Sequence, residues 1–226
     1  MNEIINLTAQ QKKALLPVLL DRFGIEYLYY MTHIDNISSI YELGILCYNK
    51  VSDIKHINIS NMKVQRRRDH IPGTKRYIHD YVPLYFAHHT PMQYVISTPS
   101  SQRNRPQTIC EDDLIFILVD AEKTFNTKGI FFTDGNAACD ETSFYNSLLN
   151  LSVLNWDVIY SDHRRAKWWE EDYRREKSSE VLVPHRIPKK HIVKIVTRTI
   201  DAANKIEENS GFDCEVNEGF YYNNGL

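Results

Sequence analysis

Leu114-Ile115-Phe116-Ile117-Leu118-Val119 is a continuous apolar run set between Asp112-Asp113 and Asp120. Apolar at every position and bounded by polar residues, it predicts a central strand. Shorter strands are expected on either side of it in sequence. Glu26 to Met31 (EYLYYM), Val82 to Ala87 (VPLYFA) and Ile130 to Thr133 are rich in aromatic and β-branched residues. Val181 to Val183 is led in by Glu180, and His191 to Thr197 alternates apolar with polar. Ile45 to Tyr48 and one or two C-terminal segments bring the expected number to six to eight short strands.

Helices are expected between them. Thr8 can cap a helix that runs to about Phe23 and stops at Gly24, with Pro17 as a kink or break. Ile37 to Leu43 follows Asp35 and Asn36 as possible caps and ends at Gly44. Further helices are read at Pro91 to Ile96, Thr142 to Leu151, Arg164 to Lys177 (with Trp168 and Trp169) and near 201–208. Trp156 to Tyr160 reads as extended. The order has no regular strand–helix–strand repeat, so the class is α+β. Residues 1–24 read as an N-terminal helical extension and 25–226 as one domain.

A chain of 226 residues buries over roughly two-thirds of its unfolded surface, enough for a real core. Net charge is −2, so a nucleic-acid partner would need the positive charge gathered locally. The four cysteines, Cys47, Cys110, Cys139 and Cys214, form no C-x-x-C pair and read as reduced, mostly buried thiols of a cytoplasmic protein. No apolar run approaches the roughly 20 residues that span a bilayer, and the N-terminus is not patterned as a signal peptide. Adjacent His88-His89 lack a carboxylate at ligand spacing, and no metal is expected.

Three places could carry chemistry. Thr32-His33-Ile34-Asp35-Asn36 joins a strand to a helix start, where free N–H groups suit a phosphate or a ribose diol. The same residues would also serve as plain caps. The segment 49–80 is polar and basic, and its Arg66-Arg67-Arg68 run is either a solvated charge run or a grip on phosphate. Neighbouring side chains diverge, so the three cannot all face one ligand. The same segment carries Lys50, Lys55, Lys63, Lys75, Arg76 and, at its edges, Tyr48 and Tyr77 for stacking on bases. Ser178-Ser179-Glu180-Val181-Leu182-Val183-Pro184 puts a carboxylate at the head of an apolar strand, just after Arg174-Arg175. A buried carboxylate needs a partner, so Glu180 is either a salt-bridge residue or a working group.

In order and spacing these segments resemble the DarT family, toxins that ADP-ribosylate a DNA base. The matching stretches are Thr32-His33-Ile34-Asp35-Asn36 with Gly44-Ile45-Leu46, Arg67, and His79-Asp80-Tyr81-Val82-Pro83-Leu84-Tyr85-Phe86 with Pro91-Met92. Phe132-Thr133-Asp134-Gly135 and Glu180-Val181-Leu182-Val183 complete the set. The resemblance implies an ADP-ribosyltransferase-like fold: two small, twisted, mainly antiparallel sheets, peripheral helices, and NAD in the cleft between the sheets. It implies Glu180 and Arg67 as catalytic residues, with Arg66 and Arg68 leaving a one-residue ambiguity. His33, Ile34, Asp35, Asn36 and Arg67 would bind NAD. Arg66, Arg68, Arg174, Arg175 and Asn136 would face DNA. Related sequences often carry His where this chain has Asn136, and Asn cannot titrate near neutral pH.

The reaction so implied moves ADP-ribose from NAD, as co-substrate, to thymine or guanine of single-stranded DNA and releases nicotinamide. A macrodomain antitoxin is the implied partner. Two other readings stay open on the residues alone. One is an ADP-ribosyltransferase of RNA or protein; the other is a nucleic-acid-binding module in which Glu180 is structural.

Overall fold

The computed structural model describes residues 8–98, 109–162, 167 and 170–222. Arg164, Trp168 and Trp169 lie outside the described residues. Ten strands are present among the described residues: β1 (Tyr27–His33), β2 (Ile45–Leu46), β3 (Tyr81–Tyr85), β4 (Leu114–Asp120), β5 (Phe131–Thr133), β6 (Phe144–Tyr145), β7 (Glu180–Pro184), β8 (Arg186–Ile187), β9 (Ile192–Thr197) and β10 (Cys214–Val216). The number exceeds the expected six to eight through β6 and β8, two-residue pieces too short to leave a sequence pattern, while the expected strand at Ile45 to Tyr48 is kept only as β2. Helices α1 (Ala9–Arg22), α2 (Ile37–Leu43), α3 (Tyr48–Val51), α4 (Met62–Arg67), α5 (Pro91–Ser97), α6 (Ala121–Phe125), α7 (Trp156–Ile159), α8 (Glu171–Lys177) and α9 (Ile200–Asn209) surround them.

Eight strands form one ordered sheet, β10-β9-β4-β1-β3-β7-β5-β6, and β2 pairs with β8 separately. Its pairs are antiparallel except β9 with β10. The expected two small sheets appear as two four-stranded halves of this one. β1 pairs with β4 from Tyr27–Asp120 to His33–Leu114, and β3 with β7 from Tyr81–Pro184 to Tyr85–Glu180. Between β1 and β3 a single registered pair, Tyr29 with Tyr85, joins the halves. Beyond it the strands part, each staying with its outer neighbour, and a cleft opens.

β4 shows why its sequence is apolar throughout. Ile115, Ile117 and Val119 pack into the main core, while Leu114, Phe116 and Leu118 pack into a second cluster with Met31, Ile59, Ile96 and Tyr221. Burial on both faces removes the alternation that a half-exposed strand shows. Leu16, Leu19 and Leu20 of α1 belong to the main core, so the N-terminal helix is packed into the body of the protein. Pro17 sits inside α1 without ending it. The carbonyl it leaves without a helical partner belongs to Lys13, an exposed residue.

Three expectations are corrected. Thr142 to Leu151 is not a helix: Phe144–Tyr145 pairs with β5, and Leu148–Val153 is a 3₁₀ turn. Ser143, Asn146, Ser147 and Asn150 are weak helix formers, and the Phe132–Tyr145 ring stack favours the strand. Trp156–Ile159 is one helical turn rather than extended, capped by the Asn155 side chain. Of the four cysteines only Cys47 is buried; Cys110 is exposed and the other two lie between. Near the cleft, Gly44 ends α2 at φ 75°, and a Cβ there would strike the Ile187 carbonyl oxygen where β2 meets β8.

Candidate active site

The cleft has a volume of about 940 Å³, near the top of the range for small-molecule sites. Tyr30, Met31 and Thr32 of β1 form one wall, and Tyr81, Pro83 and Tyr85 of β3 another. The segment between α3 and α4 forms a third, and α8 with the Asn136 turn closes the fourth side.

Glu180 stands at the head of β7 and is 0% exposed. Its backbone N–H donates to Thr133 Oγ1 at 3.0 Å, and that hydroxyl donates to the Gly135 carbonyl at 2.7 Å. The carboxylate is satisfied twice over. Ala137 N–H donates to Oε1 at 3.1 Å. Arg68 Nη2 donates to Oε1 at 2.5 Å and to Oε2 at 2.6 Å. Burial works against the guanidinium charge, but the carboxylate outweighs it and holds the Arg68 pKa above its ordinary value.

The arginine run divides as its geometry requires. Arg66 and Arg67 lie in the last turn of α4 and are exposed. Arg68 leaves the helix with extended backbone, φ −77° and ψ 100°, and turns inward. Of the three arginines among which the expected catalytic residue was ambiguous, Arg68 rather than Arg67 meets Glu180. Helical neighbours point about 100° apart, and the end of the helix selects which of them faces the cleft.

The Thr32–Asn36 segment divides as well. Thr32 and Asn36 line the cleft. Ile34 is 1% exposed and packed in the main core. Asp35 accepts from Lys205 Nζ of α9 at 2.6 Å. His33 Nδ1 accepts the Asp35 amide at 3.1 Å, so its ring caps the 3₁₀ turn that precedes α2. His33, Ile34 and Asp35 thus hold the turn, and of the five residues only its two ends, Thr32 and Asn36, line the cleft.

On the opposite side, Arg174 of α8 lines the cleft. Arg175 also reaches it, but its Nη1 donates to the Asp134 carbonyl at 3.2 Å and lies 3.4 Å from the Asp134 carboxylate. It braces the turn that carries Asn136. In that turn the Asn136 amide donates to the Arg175 carbonyl at 2.9 Å, and Asn136 Oδ1 accepts from Ala138 N–H at 2.9 Å. The rim here also bears Glu141, Glu170, Glu171 and Asp172, so positive charge is confined to particular positions.

Residues not anticipated from sequence complete the site. His79 Nε2 lies 3.1 Å from Gln65 Oε1, and its ring stacks on Tyr48 at 4.4 Å. Burial, helped by the Arg68 charge, holds the His79 pKa below the ordinary imidazole value. In sequence His79 is a polar lead-in to an aromatic strand, which reads as structural. Of the expected base-stacking pair, Tyr48 lines the cleft, whereas Tyr77 packs its ring against His70 at a tilt and is half exposed. Arg76 turns to the Tyr81 hydroxyl at 3.0 Å.

A buried Arg–Glu pair whose arginine lines a cleft between two splayed half-sheets suits a reaction that develops positive charge on a sugar. The sequence model of the family described as "ssDNA thymidine ADP-ribosyltransferase, DarT" matches residues 29–222. The chain belongs to the DarT family. A DNA ADP-ribosyl transferase of Thermus sp. (strain 2.9) is 29% identical over 170 residues, 71% of this chain and 76% of the relative. A Thermosipho africanus DNA ADP-ribosyl transferase–DNA ADP-ribosyl glycohydrolase fusion protein is 30% identical over 186 residues, 80% of this chain and 45% of that protein. The Thermus sp. 2.9 DarT solved with ADP-ribosylated ssDNA superposes with a TM-score of 0.76 at 24% identity, covering 88% of this chain and 97% of that one. The same protein solved with NAD+ gives 0.73 at 23% identity, covering 88% and 98%. This DarT protein is thus an NAD-dependent ADP-ribosyltransferase of single-stranded DNA. No helix among its described residues is long and apolar enough to cross a membrane.

Proposed function

We propose that this DarT protein is the toxin of a toxin–antitoxin pair. It joins the ADP-ribose of NAD to a ring nitrogen of thymine, with Glu180 and Arg68 as its catalytic residues. The observation that carries the assignment is the Glu180 carboxylate, fully buried, held by Ala137 N–H and by Arg68 Nη2 beside the cleft. In the reaction the bond from the ribose to nicotinamide breaks and nicotinamide leaves neutral. A bond from the same ribose carbon to the base nitrogen forms, and the ring N–H proton is released.

Glu180 lies against the ribose and stabilises the positive charge that develops as nicotinamide departs. Its position is set before substrate arrives, so no reorganisation is required during the step. Arg68 fixes the carboxylate and carries further N–H groups for the donor's phosphates. The acceptor must be unpaired to reach a cleft of this depth. Asn136 meets it there. A backbone N–H can only donate, so the atom bound to Ala138 is oxygen, and Asn136 Nδ2 is left as a donor on the cleft wall. That donor suits a base carbonyl, whose negative charge grows as the neighbouring N–H is lost.

Thymine is favoured as acceptor by the family description. A macrodomain hydrolase is favoured as antitoxin by the Thermosipho fusion of transferase and glycohydrolase. A DNA substrate supports a cytoplasmic location.

The test is incubation with NAD and a panel of single-stranded oligonucleotides, each lacking one base, followed by mass analysis. A gain of one ADP-ribose on thymine-containing strands is expected, absent with Glu180→Ala. Modification only of strands containing guanine would overturn the choice of base. Undiminished transfer by a folded Glu180→Ala protein would overturn the site.

A further inference from the structure

We infer that Asn36 is a positioning residue: its side chain straps residues 54–61 over the donor side of the cleft and makes no contact with substrate. The inference rests on the reading that this cleft takes NAD. It departs from the expectation that Asn36 binds the cofactor directly.

A primary carboxamide has the same donor and acceptor set as a peptide group, with one N–H more. Asn36 uses it as one. Its Oδ1 accepts from the Ile57 amide at 2.8 Å, and its Nδ2 donates to the Ile57 carbonyl at 2.9 Å. The two bonds reproduce the exchange that two residues make across an antiparallel ladder. The second Nδ2 hydrogen goes to Thr32 Oγ1, also at 2.9 Å. Both donor hydrogens are thereby engaged within the protein, and Asn36 is 7% exposed. A side chain so occupied has no donor left for a ribose or a phosphate.

Residues 54–61 carry no helix or strand. Ile59 is buried in the second cluster with Met31 and Phe116, and the Ser60 amide closes a local turn on Asn58 Oδ1 at 2.9 Å. Yet Ile54, His56, Ile57, Asn58 and Ser60 line the cleft. The same stretch leads directly into α4, whose end sets Arg68. Thr32 lies in β1 and Asn36 in the 3₁₀ turn that follows it, so the motif transmits the rigidity of the central sheet to an irregular wall. Losing two part-buried hydrogen bonds to that wall should loosen it locally and weaken donor binding by about tenfold or more.

The experiment uses the full chain in steady-state transfer to a thymine-containing oligonucleotide, with hydrogen exchange read by peptide. Asn36→Ala should raise the KM for NAD about tenfold while kcat at saturating NAD stays within about threefold. Amides of 54–61 should exchange faster while those of β4 keep their protection. Thr32→Val, which removes one acceptor and keeps the shape, should move both readouts in the same direction by less; it also serves should Asn36→Ala fail to fold. An unchanged KM for NAD, or a loss of kcat at unchanged KM, overturns the inference. A parent protein that binds no NAD overturns instead the reading of the cleft, and its own NAD titration separates that failure from the strap's.

Discussion

Arg68 and Glu180, 112 residues apart in the chain, meet through one guanidinium nitrogen that donates to both carboxylate oxygens at 2.5 and 2.6 Å. Neither exposes its side chain by more than 7%. Two opposite charges taken out of water together are stable as a pair and costly when separated.

Arg68→Ala is therefore expected to lower kcat about 100-fold or more and to destabilise the fold by about 3–5 kcal/mol, since it leaves a buried carboxylate unpaired. Arg67→Ala, at an exposed position, should change kcat less than about fivefold. Transfer kinetics and thermal unfolding of both variants check this. Equal losses would place the working arginine one residue earlier.

Glu180→Gln keeps an acceptor for Ala137 N–H but removes the charge. Turnover should fall about 100-fold or more at little change in KM for NAD, the sign of an interaction made in the transition state. The variant should also melt earlier than the parent, because Arg68 then lacks its counter-charge. Single-turnover assays with calorimetry measure both.

Gly135→Ala tests the turn that carries Asn136 and Ala137. A Cβ at Gly135 would lie 2.6 Å from Arg175 Nη1, 2.7 Å from Arg175 Cγ and 2.9 Å from Thr142 Oγ1. The Arg175 brace must move, at a cost of about 1–3 kcal/mol, and the Ala137 amide moves with it. Stability and turnover should both drop, and restoring Gly should recover both. Full activity in the alanine variant would show that the brace does not set the turn.

Lys177 supplies a pH dependence. It is 4% exposed, and its Nζ donates to the carbonyls of Ile159 at 2.6 Å and Ser161 at 2.9 Å. Burial lowers its pKa from 10.5 to about 8. Between those values the unfolded chain holds the proton that the folded chain has released, so stability rises with pH across the window. The penalty is complete below pH 8 and relieved toward pH 10.5, by at most about 3 kcal/mol. Denaturant unfolding from pH 7 to 10.5 should show the parent gaining relative to Lys177→Met. Parallel curves would place the titration elsewhere.

The strands and their charged lead-ins were legible because burial leaves a pattern. Leu114 to Val119 reads as a central strand from composition alone, and Glu180 is conspicuous because a carboxylate seldom heads such a run. The choice of Arg68 over Arg67 was not legible, since it depends on where α4 ends, and helix ends are weakly specified in sequence. His33 and Asn36 look alike as polar turn residues. Their division into a cap and a strap is set by Ile57, 21 residues beyond Asn36. β6 was misread because pairing with β5 overrode a stretch of near-neutral propensity.

The Tyr29–Tyr85 pair has a consequence for how two cargoes share one berth. The main chain stitches its halves at that point alone along β1 and β3, so whatever lodges in the gap becomes a second fastening. The first arrival carries the entropic cost of stilling the seam, and the second finds it already still. Donor and acceptor should therefore help one another to bind without any switch in shape. Oligonucleotide affinity measured with and without a non-reacting NAD analogue is the reading that decides it.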